Sequence, residues 1–220
     1  QYTATDTIVG GVRIDTVGQF SRVYNYSFGV SASTKIYGMF RFRSEALKAI
    51  RHVITPTVSY SLTPDFSAEK YGYYGTYKKN SDGDLATYSY FEKGIYGVPS
   101  SQRQSSLSFS IGNNLEAKVR SKTDTVTGTK KIKLIENLSI NGSYNFAADS
   151  LKMSLINVSG YSTILNRFTI RYSASFDPYA IGVKSTSTGI TQVRVNNYMI
   201  DRYGTLWRKT QDQWATSLSY

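Results

Sequence analysis

The chain has 220 residues with no cysteine, 19 tyrosines among 14% aromatics, only 19% charged residues and a net charge of +11. Without cysteine there is neither a disulfide framework nor a thiolate metal site, and no run approaches the roughly 20 apolar residues of a membrane helix. The positive charge implies an anionic partner: nucleic acid, a membrane surface or an acidic glycolipid.

The opening, QYTATDTIVG, lacks the basic and apolar regions of a signal peptide. A short strand is expected at Ile8–Ile14, around Gly10-Gly11. From Val23 the alternation is long and regular. Tyr24, Tyr26, Phe28, Val30, Ile36, Phe40 and Phe42 fall on one parity; Ser27, Ser31, Ser33, Lys35, Tyr37, Arg41 and Arg43 fall on the other. A period of two places these sets on opposite faces of a strand. Ser44–Ile50 suits a helical turn or a connection. His52–Thr63 alternates again, with Ile54, Val58 and Tyr60 against Thr55, Thr57 and Ser59. Pro56 has no N–H, which predicts an edge, a bulge or a strand end there.

Residues 64–104 read as a long loop, rich in Tyr, Gly, Lys and Asp, with room for a hairpin of its own. The clearest hairpin follows. Leu107, Phe109, Ile111, Leu115, Ala117 and Val119 oppose Ser106, Ser108, Ser110, Glu116, Lys118 and Arg120. After the polar turn SKTDTVTGTK, Ile132, Leu134, Leu138, Ile140, Tyr144 and Phe146 oppose Lys131, Lys133, Ser139, Asn141 and Ser143. Leu151–Thr163 and Phe168–Phe176 form another pair, in which Phe168, Ile170 and Tyr172 oppose Arg171, Ser173 and Ser175. Asp177-Pro178 ends that strand. A second long loop is expected at 177–189, then strands at Gln192–Ile200 and Gln211–Tyr220. The closing WATSLSY stops in mid-alternation, as a strand of a longer sheet would.

About eight long strands with one greasy and one wet face fit two architectures. A soluble sandwich buries the greasy face on a core; a transmembrane β-barrel turns it to lipid. Polar faces built from Ser, Thr, Asn and Gly, strands long enough to cross a bilayer, and aromatics towards strand ends favour the barrel. The expected class is all-β: one partial antiparallel barrel domain over 1–220.

Catalytic chemistry is nearly absent, and a non-enzyme without cofactor or metal is expected. His52, the only histidine, reads as a structural hydrogen-bonding residue. Asp82 and Asp84 lack the downstream Glu of a calcium loop, and Asp65 with Glu69 is a weak divalent-ion candidate. YGYYGTY could stack on sugars or bases, though an interfacial or loop role is the plainer reading. The basic residues Lys35, Arg41, Lys118, Lys133 and Arg171 are candidates for an anion path along the polar face. Lys131, Arg120, Arg43 and Arg194 have the same parity pattern. Tyr26, Phe28, Phe109, Ile111, Leu138, Ile140, Phe168 and Ile170 are the candidates for lipid contact. No basic helix, RNA-binding signature or zinc finger supports a nucleic-acid partner.

One resemblance is carried by several segments together. ALKAIRHVITPTVSYSLTPDFS (46–67) resembles the RHV-x-x-P…PDF segment of the lipopolysaccharide-assembly family LptD, in its Bacteroidetes-type version. STKIYGMF, just before it, is similar to the family's T-x-IYG-x-F strand, and LSFSIGNNLEAKV, KKIKLIENLSINGSYNFAADSLKMSLINVS and FTIRYSASFDPYA follow in the family's order. The resemblance spans about Tyr24–Ala180. It implies an integral outer-membrane barrel of a Gram-negative bacterium that inserts lipopolysaccharide into the outer leaflet. It also implies contact with outer-membrane lipids, an LptE-like plug lipoprotein and a periplasmic lipopolysaccharide bridge. The family's jellyroll, gate strands and cysteines are not matched here. About eight strands are too few to enclose a plug, so a C-terminal part of the barrel is expected. Another outer-membrane channel or porin-like barrel, and a secreted glycan-binding β-protein, remain alternatives.

Overall fold

The computed structural model describes residues 2–8, 11–17, 22–79, 83–95, 97–122, 124, 126–164, 167–186 and 189–218. In chain order the strands are β1 (Tyr2–Ile8), β2 (Gly11–Val17), β3 (Phe28–Ser33), β4 (Ile36–Arg41), β5 (Leu47–Thr63), β6 (Tyr74–Lys78), β7 (Leu85–Ser89), β8 (Gln104–Arg120), β9 (Thr129–Asn145), β10 (Ile156–Ile164), β11 (Phe168–Asp177), β12 (Tyr179–Thr186), β13 (Gly189–Tyr198) and β14 (Arg208–Leu218). The helical pieces are a 3-10 turn at Glu69–Tyr71 and α1 (Met199–Tyr203). The chain divides into two compact units, Gln1–Gly29 with Ser61–Ser105, and Val30–Tyr60 with Ser106–Tyr220.

The first unit holds two hairpins. β1 and β2 pair from Tyr2↔Val17 to Ile8↔Gly11, so the single short strand expected at Ile8–Ile14 is two longer ones. Val9 and Gly10 lie outside the described residues. β6 pairs with β7 from Tyr74↔Ser89 to Lys78↔Leu85, the hairpin that the long Tyr-rich segment had room for. A small aromatic core holds the unit together. Phe66 is fully buried beside Tyr73 and Phe91. Tyr26 is edge-on to Phe66 at 5.3 Å, and its hydroxyl shares a 2.9 Å hydrogen bond with that of Tyr71. Residues 22–27 are therefore not strand. The expectation that Tyr26 sits on a strand face is corrected: ring packing on Phe66 outweighs its place in the alternation.

The second unit is a one-layer antiparallel sheet in the order β14-β11-β10-β9-β8-β5-β3, with β4 also on β5. It is a meander: chain neighbours are sheet neighbours, apart from β3 and β4, which both pair with β5, and from the excursions between β5 and β8 and between β11 and β14. β5, β8 and β9 each run 17 residues, about three times an ordinary globular strand.

Pro56 departs from expectation. It lies inside β5, which has neighbours on both sides. Its missing N–H faces β3 and β4, where the partner strand is interrupted at Thr34-Lys35. Thr34 N–H still donates to the Pro56 carbonyl at 3.2 Å. Only the return bond is lost, so the ladder opens for two residues and resumes at Ile36↔Ile54. The long strand expected from Val23 is thereby split, and Lys35 sits in the split.

β9 carries two residues more than β8 across the stretch where Asn113↔Leu138 gives way to Glu116↔Lys133. Two extra residues form a double bulge that restores parity on both sides. Inside it, Ile135 takes the place opposite Leu115, and Asn114 Nδ2 donates to the Glu136 carbonyl at 2.7 Å.

The second expected loop, 177–189, begins instead with β12, which forms a hairpin with β13. Of Ser44–Ile50, Ser44–Ala46 form the connection and Leu47–Ile50 already belong to β5, while the short helix comes later, at Met199–Tyr203. The β12–β13 hairpin is tied down at its base by Asp177, which is 1% exposed. Its carboxylate accepts from Arg194 at 2.9 Å, Arg208 at 3.3 Å and the Tyr179 N–H at 3.0 Å. Arg194, grouped by parity with the polar-face cations, belongs to this node instead. Tyr179 and Tyr198 stack at 4.8 Å. The hydroxyl–hydroxyl hydrogen bond shared with Tyr179, with burial, pushes the Tyr198 phenol up to about 12.

Candidate functional site

The sheet has two faces of opposite chemistry, and register fixes which residue lies on which. Phe109↔Gly142, Ile111↔Ile140 and Ile140↔Val158 share the apolar face across β8, β9 and β10. Ile170, Tyr172 and Phe168 continue it on β11, opposite Thr216, Trp214 and Leu218 of β14. Phe28 and Val30 on β3, and Ile36 and Phe40 on β4, have the same parity as their apolar partners on β5. Leu138 lies opposite Gly160, whose missing side chain leaves room for it. All these side chains are at least partly uncovered: Val30 is 55%, Phe40 63%, Ile132 42% and Trp214 68% exposed. In a sandwich such residues would be the core. Among the described residues of this unit, the buried hydrophobic ones are only Ala117, Ala174, Tyr179 and Ala180.

The polar face is knitted by side chains. Ser31 pairs with Ser59 at 2.8 Å and Ser33 with Thr57 at 2.9 Å. Ser110 donates to Asn141 at 2.6 Å, Asn141 to Ser139 at 3.3 Å, and Ser139 meets Ser159 at 3.0 Å. Ser175 donates to Asn157 at 2.7 Å. Cross-strand hydroxyl and amide pairs of this kind stabilise a sheet without closing off its face.

The two ends differ as well. At one end the connections are short: residues 42–46, 121–128 and 165–167. At the other lie residues 146–155 and the β12–β13 hairpin with α1.

The candidate cations divide between positions. Lys118 lies directly opposite Lys131, and Lys133 opposite Glu116. Arg41 faces Ala49, beside the Met39↔Arg51 pair. Arg41, Arg51, Glu116, Lys118 and Lys131 line one open groove of about 470 Å³ near the short-turn end. Arg171 is elsewhere, in a groove with Ser159 and Gln213, where its Nη1 donates to Ser217 at 3.3 Å. Lys35 lies in the β3–β4 interruption.

The sequence reading missed two cations of the first groove, Arg51 and Lys48. Arg51 donates to Glu116 at 2.7 Å, a contact between β5 and β8 that neither segment reveals alone. The one available signal was parity: Arg51 is in phase with Thr55, Thr57 and Ser59.

His52 is a structural residue, as expected. On the apolar face its Nε2 lies 3.1 Å from Asn113 Oδ1, while Asn113 Nδ2 donates to the Leu138 carbonyl at 3.3 Å. Asp65 Oδ1 is occupied by the Ser67 N–H and hydroxyl, a local turn with no need of an ion. Asp82 lies outside the described residues. Among the described residues no group of three His, Asp or Glu could hold a metal.

A long-stranded antiparallel meander, greasy on one face and hydroxyl-lined on the other, is built as the wall of a β-barrel. The family model described as LptD protein matches residues 1–179, and the chain belongs to that family. Membership supports a role in lipopolysaccharide transport and assembly at the outer membrane. No curated protein and no solved structure matches the chain.

Proposed function

We propose that this sheet is a segment of an outer-membrane barrel that passes lipopolysaccharide into the outer leaflet without covalent chemistry. The observation that carries the reading is the one-layer sheet whose bulky apolar face is left uncovered. Lipid tails supply the missing contact, because a bilayer admits only strands whose backbone groups are paired within the wall. Phe28, Phe109, Ile111, Leu138, Ile140, Phe168 and Ile170 turn to lipid. The Ser/Asn face forms a hydrated surface for the glycan, and Arg41, Lys118, Lys133 and Arg171, with Lys35 at the split, supply positive charge along it. Short turns sit on the periplasmic side and long connections outside the cell, as in outer-membrane barrels generally. A plug lipoprotein of LptE type fits the polar side, and a periplasmic bridge delivers the substrate.

Cysteine labelling in intact outer membrane tests the assignment. Ile111, Ile140 and Ile170 should react with membrane-confined probes, and Ser110, Asn141 and Arg171 with aqueous ones. The reverse pattern inverts the wall. Depletion tests the cargo: loss of surface lipopolysaccharide supports assembly, whereas loss of solute uptake alone supports a channel.

A further inference from the structure

The cations of the polar face are not spread evenly, and their clustering has an electrostatic cost. Lys118 and Lys131 are direct cross-strand partners on one face, a placement that sheets ordinarily avoid because like charges repel there. Arg41 lines the same groove, and among the described residues none of these three side chains has a hydrogen-bond or ion-pair partner. The groove's one carboxylate, Glu116, is engaged by Arg51 at 2.7 Å and only 17% exposed. The buried Nε of Arg51 is left without an acceptor. Five cations, Arg41, Lys48, Arg51, Lys118 and Lys131, line the groove against one carboxylate, which leaves four positive charges uncompensated. The double bulge beside Glu116 sets this register, and bulges of this kind re-aim side chains at functional sites.

We infer that Arg41, Lys118 and Lys131, beside the Arg51–Glu116 pair, form a binding site for the phosphoryl groups of a glycolipid at the short-turn end of the polar face. This rests on the polar face being the glycolipid's path. A groove of about 470 Å³ is within the usual range for a small-ligand site. Lysines serve there as point charges for a phosphate. Arg51, braced by Glu116, holds its guanidinium in place rather than swinging to solvent. The site differs in kind from the Arg171 groove, where a single cation already donates to Ser217.

The experiment measures binding to the full-length protein in nanodiscs of neutral lipid. Three probes are compared: lipid A with both phosphates, the same lipid dephosphorylated, and inorganic phosphate. Wild type should bind the phosphorylated lipid at least tenfold more tightly than the dephosphorylated one, since each charge-assisted contact is worth on the order of tenfold in affinity. The preference should fall with added salt and vanish in the Lys118→Gln/Lys131→Gln variant, whose side chains are exposed and whose fold is checked by its heat-modified gel mobility. Lys184→Gln, on the β12–β13 hairpin, should keep it. Equal binding of both lipids overturns the phosphate site while leaving the path intact. Binding of neither lipid overturns the path and the site together. Inorganic phosphate binding as tightly as the lipid overturns the headgroup assignment.

Discussion

Replacing one side chain by arginine on either face of β9 gives the sharpest test of the wall. Ile140 lies on the apolar face between Ile111 and Val158, and Asn141 lies on the other between Ser110 and Asn157. Along β8 the apolar positions run from Leu107 to Val119, twelve steps or about 40 Å at ~3.4 Å per residue. With a tilt of about 40° that becomes roughly 31 Å, slightly more than the ~25 Å apolar band of an outer-membrane barrel. Ile111, and with it Ile140, then falls about 5 Å from the middle of the band. Arginine at that depth costs about 2–4 kcal/mol, so Ile140→Arg should lose that much in urea titrations of the protein folded into liposomes. Asn141→Arg should change stability by under ~1 kcal/mol, as surface substitutions do. A neutral Ile140→Arg beside a costly Asn141→Arg would refute the assignment of faces. Severe loss from both would mean that protein, not lipid, covers the apolar face.

Gly142→Ala should destabilise by about 1–3 kcal/mol through overpacking, because a Cβ there would lie 2.5 Å from the Phe109 ring; the same titration of Gly142→Ala/Phe109→Leu should recover most of the loss. His52→Leu alone should cost about 1–2 kcal/mol by stranding Asn113 Oδ1, and a double-mutant cycle with Asn113→Leu should show positive coupling. Asp177→Asn should weaken the β12–β13 hairpin by about 2–3 kcal/mol, less than a fully buried pair because both arginines are about a third exposed; amide exchange should quicken over Tyr179–Tyr198 and not over β8 or β9. Asp124 accepts from the Thr127 hydroxyl and from the N–H groups of Thr127 and Val126, which holds its carboxyl below the usual range. Its contribution is therefore complete above about pH 4, the unfolded value, and is lost as pH falls through the lower folded value. Exchange across residues 121–128 should accelerate only in acid, and Asp124→Asn should abolish that dependence.

The period-two pattern made the sheet legible because a strand face is a local property: parity at Ile140 or Phe109 needs no knowledge of the partner. Features that depend on the partner were hidden. Pro56 was read as a strand end because the rule concerns its own missing donor, whereas the neighbouring strand simply opens at Thr34-Lys35. The double bulge is invisible in β9, whose two extra residues acquire meaning only against β8. β12 was hidden by its Gly and Ser content, which is as common in turns as in a polar hairpin. Tyr26 kept the alternation but joined a ring cluster formed by residues some forty positions later. The groove was half legible. Lys118 and Arg41 followed from parity, but their convergence with Arg51 and Glu116 is set by the pairing of β4, β5, β8 and β9.

The stability of such a sheet needs a source other than a core, and the distribution of burial points to it. The sheet's own buried apolar side chains are two alanines, Ala117 and Ala174, with Tyr179 and Ala180 at the hairpin base. At ~25 cal/mol per Å², two alanines cannot offset the ordering of strands up to 17 residues long, at about 1–2 kcal/mol per residue. Backbone ladders and the Ser/Asn web contribute, yet each net hydrogen bond yields only about 1 kcal/mol while water competes for the same groups. Removing that water changes the balance: in hydrocarbon an unpaired peptide group costs several kcal/mol, so the ladder becomes obligatory. The exposed Val30, Phe40, Ile132 and Trp214 then gain a solvent they match. The sheet is thus poorly suited to stand alone in water and well suited to a bilayer, and the same physics leaves its hydroxyl-lined face free for water.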